Sequence, residues 1–181
     1  LPLQQEIQLK LTTPEKLILS MLAQLHLKLG IEPENAKLIS SAIHTDNTWA
    51  LTWELQGIPQ DKPEADPREV KEVVNYLDMW SFIEAAMEKL AAAEKKEVND
   101  ACHGRTTFPG FDGNNEPQHY SIANFLIKDM NRWAEFSKRD LNSHHETLDR
   151  AARMFEVFEP MRAKLERGTL SKDQLIAILT A

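Results

Sequence analysis

The sequence predicts an all-α fold built around one long central helix. Two observations carry this. Apolar residues recur at spacings of three and four along most of the 181-residue chain, the period of a helix with one buried face. Helix starts recur as well, each a capping side chain followed by a proline or a glutamate. One short stretch departs from the pattern: residues 6–11, Glu6 to Leu11, alternate with the period of a strand, which predicts a short N-terminal extended arm. A chain of this length buries roughly two-thirds of its unfolded surface, enough for a sizeable core.

Thr12-Thr13-Pro14-Glu15 opens the first helix, and Leu17, Ile18, Met21, Leu22, Leu25 and Leu29 follow at helical spacing before Gly30 ends it. Pro33 opens a second helix running to about Ile43. Trp49 and Trp53 are four residues apart and share a face of a third, where core packing is the ordinary role for such a pair. Residues 58–66, with Pro59 and Pro63, read as a linker. They divide a single domain, 1–181, into an N-terminal helical subdomain over 12–57 and a main helical part over 67–181.

Asp66-Pro67-Arg68-Glu69 is the strongest start in the chain. Val70, Val73, Val74, Leu77, Trp80, Ile83, Met87 and Leu90 follow, and nothing in the sequence breaks the helix before Gly104. Unbroken, it spans roughly 50 Å at about 1.5 Å per residue. A further helix is expected from about Pro117 to Phe136. Ser143 and Glu146 have capping-box spacing and predict another start at residue 143. Pro160 is expected to kink or restart that helix, because it cannot donate to the carbonyl of Glu156. Ser171 and Gln174 cap a last helix ending near Leu179.

Charge and cysteine content narrow the function classes. Lysine and arginine number 21 against 28 acidic residues, for a net charge of −7, which disfavours nonspecific binding to nucleic acid or an anionic membrane. Cys102 is the one cysteine, so no internal disulfide and no CxxC metal spacing exist, in keeping with a reducing cytoplasm. No apolar run approaches the ~20 residues of a membrane span. The first residues lack the basic-then-apolar order of a signal peptide. No cofactor is read from the sequence.

The longest interruption of the helical pattern is residues 108–120. Phe108 and Phe111 bracket Pro109-Gly110, which predicts a loop pinned to the core by its aromatic residues. Asp112, Asn114, Asn115 and Glu116 offer oxygens on this loop, but a calcium loop needs glycine sixth and a carboxylate twelfth, where Pro117 and Ala123 stand. Turn formation by Asp112 and Asn114, with capping by Asn115 or Glu116, is the simpler reading. Glu116 and His119 have Glu-x-x-His spacing, but a di-metal site needs a second copy, which is absent. No metal site is expected.

Several segments together resemble the YfbU domain family of small bacterial proteins: Thr48-Trp49-Ala50-Leu51, Leu77-Asp78-Met79-Trp80-Ser81-Phe82-Ile83-Glu84, Phe108 to Glu116, Asp140-Leu141-Asn142-Ser143-His144, and Met154 to Met161. The resemblance implies an all-helical cytoplasmic protein. It brings no catalytic residue or reaction to carry over.

Two functions follow as expectations. The first is a non-catalytic protein acting through a macromolecular partner or through itself as a homodimer, for which an exposed apolar patch is the signature. Its candidate binding-loop residues are Phe108, Phe111, Asp112, Asn114, Asn115, Glu116, His119, Asn142 and Ser143. The alternative is a metal-independent ribonuclease. Arg139-Asp140-Leu141-Asn142-Ser143-His144 resembles the short motif of HEPN-type ribonucleases. There a histidine moves the proton of a 2′-hydroxyl and an arginine stabilises phosphate charge, roles that would fall to His144 and Arg139. The competing structural reading is that Asn142 and Ser143 cap a helix with His144 in its first turn. A small-ligand pocket beneath the 108–120 loop is a third, lesser expectation.

Overall fold

The computed structural model describes residues 11–55, 66–165 and 168–181. The expected arm over 6–11, apart from Leu11, and nearly all of the linker over 58–66 lie outside the described residues. Among those described there are eight α-helices and no strand. The fold is all-α.

The first helix, α1 (Thr13–Leu29), starts where the Glu15 carboxylate accepts the backbone N–H of Thr12 at 2.7 Å, and it stops at Gly30, whose φ of 68° is left-handed. It packs mainly on α2 (Pro33–His44), and α2 in turn touches the short α3 (Ala50–Glu54). Trp49 and Trp53 meet edge to face with centroids 4.9 Å apart, and Trp49 goes on to Phe125 at 6.1 Å. These rings, with the Ser41–Asp129 and Asn47–Ser121 hydrogen bonds, tie residues 41–53 to the later helices.

The centre of the molecule is α4 (Arg68–Lys89), which packs against α6 (Pro117–Asn124), α7 (Leu148–Arg162) and α8 (Lys172–Leu179). Val70, Val73, Leu77, Trp80 and Ile83 form its buried stripe. The helix is shorter than its sequence predicts. Leu90 turns extended, at φ −66° and ψ 148°, and a separate α5 (Ala92–Cys102) begins two residues later. No glycine or proline marks the break. Tertiary packing overrides the strong helix formers there: the turn lays α5 against α8 and buries Val98 and Cys102, while Glu94 accepts the Ala91 N–H.

The expected helix over 117–136 also ends early. After α6 the backbone widens into a π-helical turn, Phe125–Asp129, in which three consecutive side chains, Phe125, Leu126 and Ile127, are buried. An α-helix turns 100° per residue, more than the wider π turn, and so has no single face for three neighbours. Asn131 and Trp133 then take positive φ, and a single 3₁₀ turn, Ala134–Phe136, follows. Pro160 does not restart α7: the helix runs through it to Arg162, with the Glu156 carbonyl left without the N–H that a proline lacks. Ser171 and Gln174 form the expected capping box of α8.

Candidate functional site

The 108–120 loop is anchored by its rings. Phe108 and Phe111 are buried and touch each other at 5.7 Å; Phe108 also meets Trp80 of α4 and Phe136. Between them Gly110 has φ 86°, and a β-carbon there would lie 2.1 Å from the carbonyl oxygen of Leu141. Only glycine fits, because both the backbone angle and the space exclude a side chain. That close approach lets the loop zip onto residues 141–143. The Phe111 N–H donates to Leu141 at 2.9 Å, and the Ser143 N–H donates to Phe111 at 3.1 Å. Asn142 clamps the same seam, its side-chain oxygen accepting from the backbones of Gly113 and His144, each at 3.1 Å.

Two carboxylates hold this seam to the helices. Glu84 of α4 accepts the Phe108 N–H at 2.8 Å and takes the Arg139 guanidinium in a two-pronged pair at 2.6 and 2.5 Å. Glu116 is buried. It accepts the backbone N–H groups of Asp112 at 2.9 Å, Thr147 at 2.5 Å and Leu148 at 2.7 Å. The Thr147 hydroxyl lies 2.9 Å from Glu116 and 3.1 Å from the Gly110 carbonyl, and donates to one at a time. Burial by itself would raise the Glu116 carboxyl, but these hydrogen bonds outweigh it and hold the group below the ordinary carboxylate value.

This arrangement corrects the expected start at residue 143. Ser143 donates to the His145 carbonyl and caps nothing; α7 begins at Leu148, after Thr147 at the capping position, and the free N–H groups there are met by Glu116, 31 residues before Thr147. Glu116 likewise does not cap α6 with its side chain, although it stands at the position before that helix. Asp112 makes the expected turn, accepting the Asn114 N–H and the Asn115 amide, and both bonds lower its pKa. The Asn115 side chain thus serves the turn. His119 faces inward, its Nε2 2.8 Å from Glu72 and its ring beside Phe111. Among the described residues no cluster of three or more His, Cys, Asp or Glu is placed to hold a metal ion.

Arg139 and His144 are not brought into contact. Arg139 is neutralised by Glu84 and lies over the Phe136 ring at 5.1 Å. His144 is exposed, in a left-handed conformation, with Asp140 3.9 Å away.

Beside the seam is a cavity of about 400 Å³. Tyr76, Trp80, Phe108 and Met154 supply apolar wall, and Arg105 and Arg150 supply charge. Sequence reading pointed to a pocket under this loop but missed both arginines, which carry no pattern that separates them from surface residues.

A second feature lies on α1. Its Ala23 side faces α2, while Leu17, Ile18, Met21, Leu22, Leu25 and Leu29 stay exposed on the opposite side, with Leu17 at 62% and Leu29 at 69%. No helix among the described residues is long and apolar enough to cross a membrane.

The profile of the YfbU domain matches residues 9–181. The chain belongs to the YfbU domain family. The UPF0304 protein MJECS11 of the archaeon Methanocaldococcus jannaschii is 29% identical over 110 residues, which cover 58% of this chain and 64% of that protein. The chain therefore spans somewhat less than two-thirds of that relative's length, and the relative being archaeal extends the resemblance beyond bacteria. Three of the segments that carry the YfbU likeness meet in space. Glu84 closes the first, Phe108 to Glu116 forms the loop, and residues 141–143 form the strip it zips onto.

Proposed function

We propose that this YfbU-domain chain is a non-catalytic cytoplasmic protein that works by association, and that its partner at α1 is a second copy of itself. The observation that carries this reading is the apolar stripe of α1. Its residues fall at spacings of three and four, the pattern of a helix with a partner on that side, yet α2 occupies the other side.

Area and charge both favour a second copy. Fully burying a side chain of this size stabilises by about 1.5–3 kcal/mol at about 25 cal/mol per Å², so the half-exposed stripe and the neighbouring Leu27 and Ile31 offer on the order of 400 Å² of apolar surface. A standard interface takes about 800 Å² from each partner, a little over half of it apolar. Glu15 stands in the first turn of α1, and His26 and Lys28 in the last. Two copies packed antiparallel place the acidic end of each against the basic end of the other, and oppose the two helix dipoles. The ribonuclease reading is less well supported, because it needs Arg139 free to meet a phosphate while Glu84 already holds that side chain. The cytoplasmic assignment rests on the lone buried Cys102.

Sedimentation equilibrium from about 1 to 200 μM tests the proposal, since standard interfaces give dissociation constants of micromolar or tighter. The full chain is expected to dimerise, and Leu22→Glu/Leu25→Glu to remain monomeric with an unchanged helical spectrum. A monomeric full chain across this range overturns self-association. If a chain lacking residues 1–10 then dimerises, those residues are what cover the stripe. A dimer that survives the double substitution places the interface elsewhere and equally overturns the proposal.

A further inference from the structure

We propose that the cavity between α4, the 108–111 loop and the start of α7 is a binding site for a small aromatic anion, with Arg105 and Arg150 receiving the anionic group and the ring lying against Trp80 and Phe108. The site is separate from α1 and does not depend on the self-association reading.

The pairing of the arginines singles the cavity out. In a chain of net charge −7, Arg68, Arg132, Arg139 and Arg162 each sit in an ion pair with an acidic side chain. Arg105, Arg150 and the exposed Arg153 have no ion pair among the described residues, and of these three Arg105 and Arg150 line one cavity. Among the described residues, the side chain of each makes one hydrogen bond, to a neutral backbone carbonyl: Arg105 Nε to Cys102 at 3.2 Å, and Arg150 to Leu179 at 3.1 Å. A guanidinium has five N–H donors in a planar fork, so most of this capacity faces elsewhere. Arg150 is half-buried, and its pKa is lowered first by that burial and then by the like charge of Arg105. Two cations close enough to disfavour each other are relieved by an anion placed between them.

The remaining wall sets the rest of the ligand. Tyr76, Trp80, Phe108 and Met154 make it aromatic and apolar, and Thr107 and Thr147 also line it. Among the described residues Glu146 is the one acidic residue on the lining, and it disfavours a second negative group. A cavity of about 400 Å³ falls within the range of small-molecule sites. The ligand class that meets all of these features is one or two rings bearing a single carboxylate or phosphate.

Four probes separate the contributions: 2-naphthoate, 2-naphthyl phosphate, the neutral 2-naphthol, and inorganic phosphate. Binding is read by calorimetry and by intrinsic tryptophan fluorescence, using the full chain with Leu22→Glu/Leu25→Glu so that the α1 face contributes nothing. Hydrogen bonds to charged groups, at about 1.5–3 kcal/mol each, correspond to about 10- to 100-fold in affinity. One aromatic anion per chain is expected, bound at least 10-fold more tightly than 2-naphthol or phosphate. The two naphthyl anions rank the carboxylate against the phosphate. Arg150→Gln and the more exposed Arg105→Gln are each expected to weaken binding about 10-fold or more, the latter with little effect on folding. Equal binding of 2-naphthol, an Arg105→Gln chain that binds as before, or no saturation at about 1 mM of either anion overturns the assignment.

Discussion

The α1–α2 hairpin and the seam around residues 108–148 are built on opposite plans. In α1 each structural decision is local: Glu15 starts the helix, Gly30 stops it, and its apolar stripe is left facing outward. In the seam almost nothing is local. Glu84 holds Phe108 and Arg139 from another helix, Glu116 starts α7 from 31 residues away, and Gly110 is required by the backbone of Leu141. Every buried side-chain nitrogen or oxygen among the described residues is hydrogen-bonded, and the seam buries Asp112, Glu116 and Thr147 together. The difference teaches that α1 is a stable element with unspent apolar surface, while the seam is a closed network in which removing one group strands several others.

The contrast is broken most severely at Glu116. Glu116→Ala leaves three backbone N–H groups without their acceptor, and is expected to lower stability by about 3–5 kcal/mol in urea denaturation. Gly110→Ala places a β-carbon against the Leu141 carbonyl and forces a left-handed residue, with an expected loss of about 2–4 kcal/mol by the same measurement.

Acid tests the seam without mutation. The carboxyls of Glu116, Asp112 and Glu72 have folded pKa values lowered from ordinary values of 4.5, 3.8 and 4.5. Depressed folded values contribute stability that is fully present above the unfolded pKa and lost as pH falls through the folded one. Thermal midpoints should therefore hold above about pH 5 and drop below about pH 4. Glu116→Gln should drop less steeply, having no carboxyl at that position to protonate. The smallest effect is expected on the other side of the comparison. Leu25→Glu, measured on dilute monomer, should change stability by no more than about 0.5 kcal/mol, because that side chain is already half in water. A large loss there would mean that α1 is buried by its own chain.

The same division explains what was legible in the sequence. The class of fold, both ends of α1 and the capping box of α8 were readable, because their determinants lie within three or four residues. The rings of Phe108 and Phe111 were also readable as anchors, since two aromatics around Pro-Gly in a polar loop have few other uses. The end of α4 was not, because Leu90 leaves the helix to let α5 reach α8, and no residue at the break disfavours a helix. The start of α7 was misplaced because Ser143 and Glu146 carry the spacing of a cap, while the group that does the capping belongs to another part of the chain. Arg105 and Arg150 became a pair only when folding placed them on one cavity.

The long reach of Glu116 has a consequence for cooperativity. The N–H groups at the start of α7 gain their acceptor only when Glu116 is in place, which couples a loop and a helix start 31 residues apart. They make a single cooperative unit. The amides of Asp112, Thr147 and Leu148, though they lie outside or at the edge of helices, are expected to show one common opening free energy in hydrogen exchange, opening only when the whole unit opens.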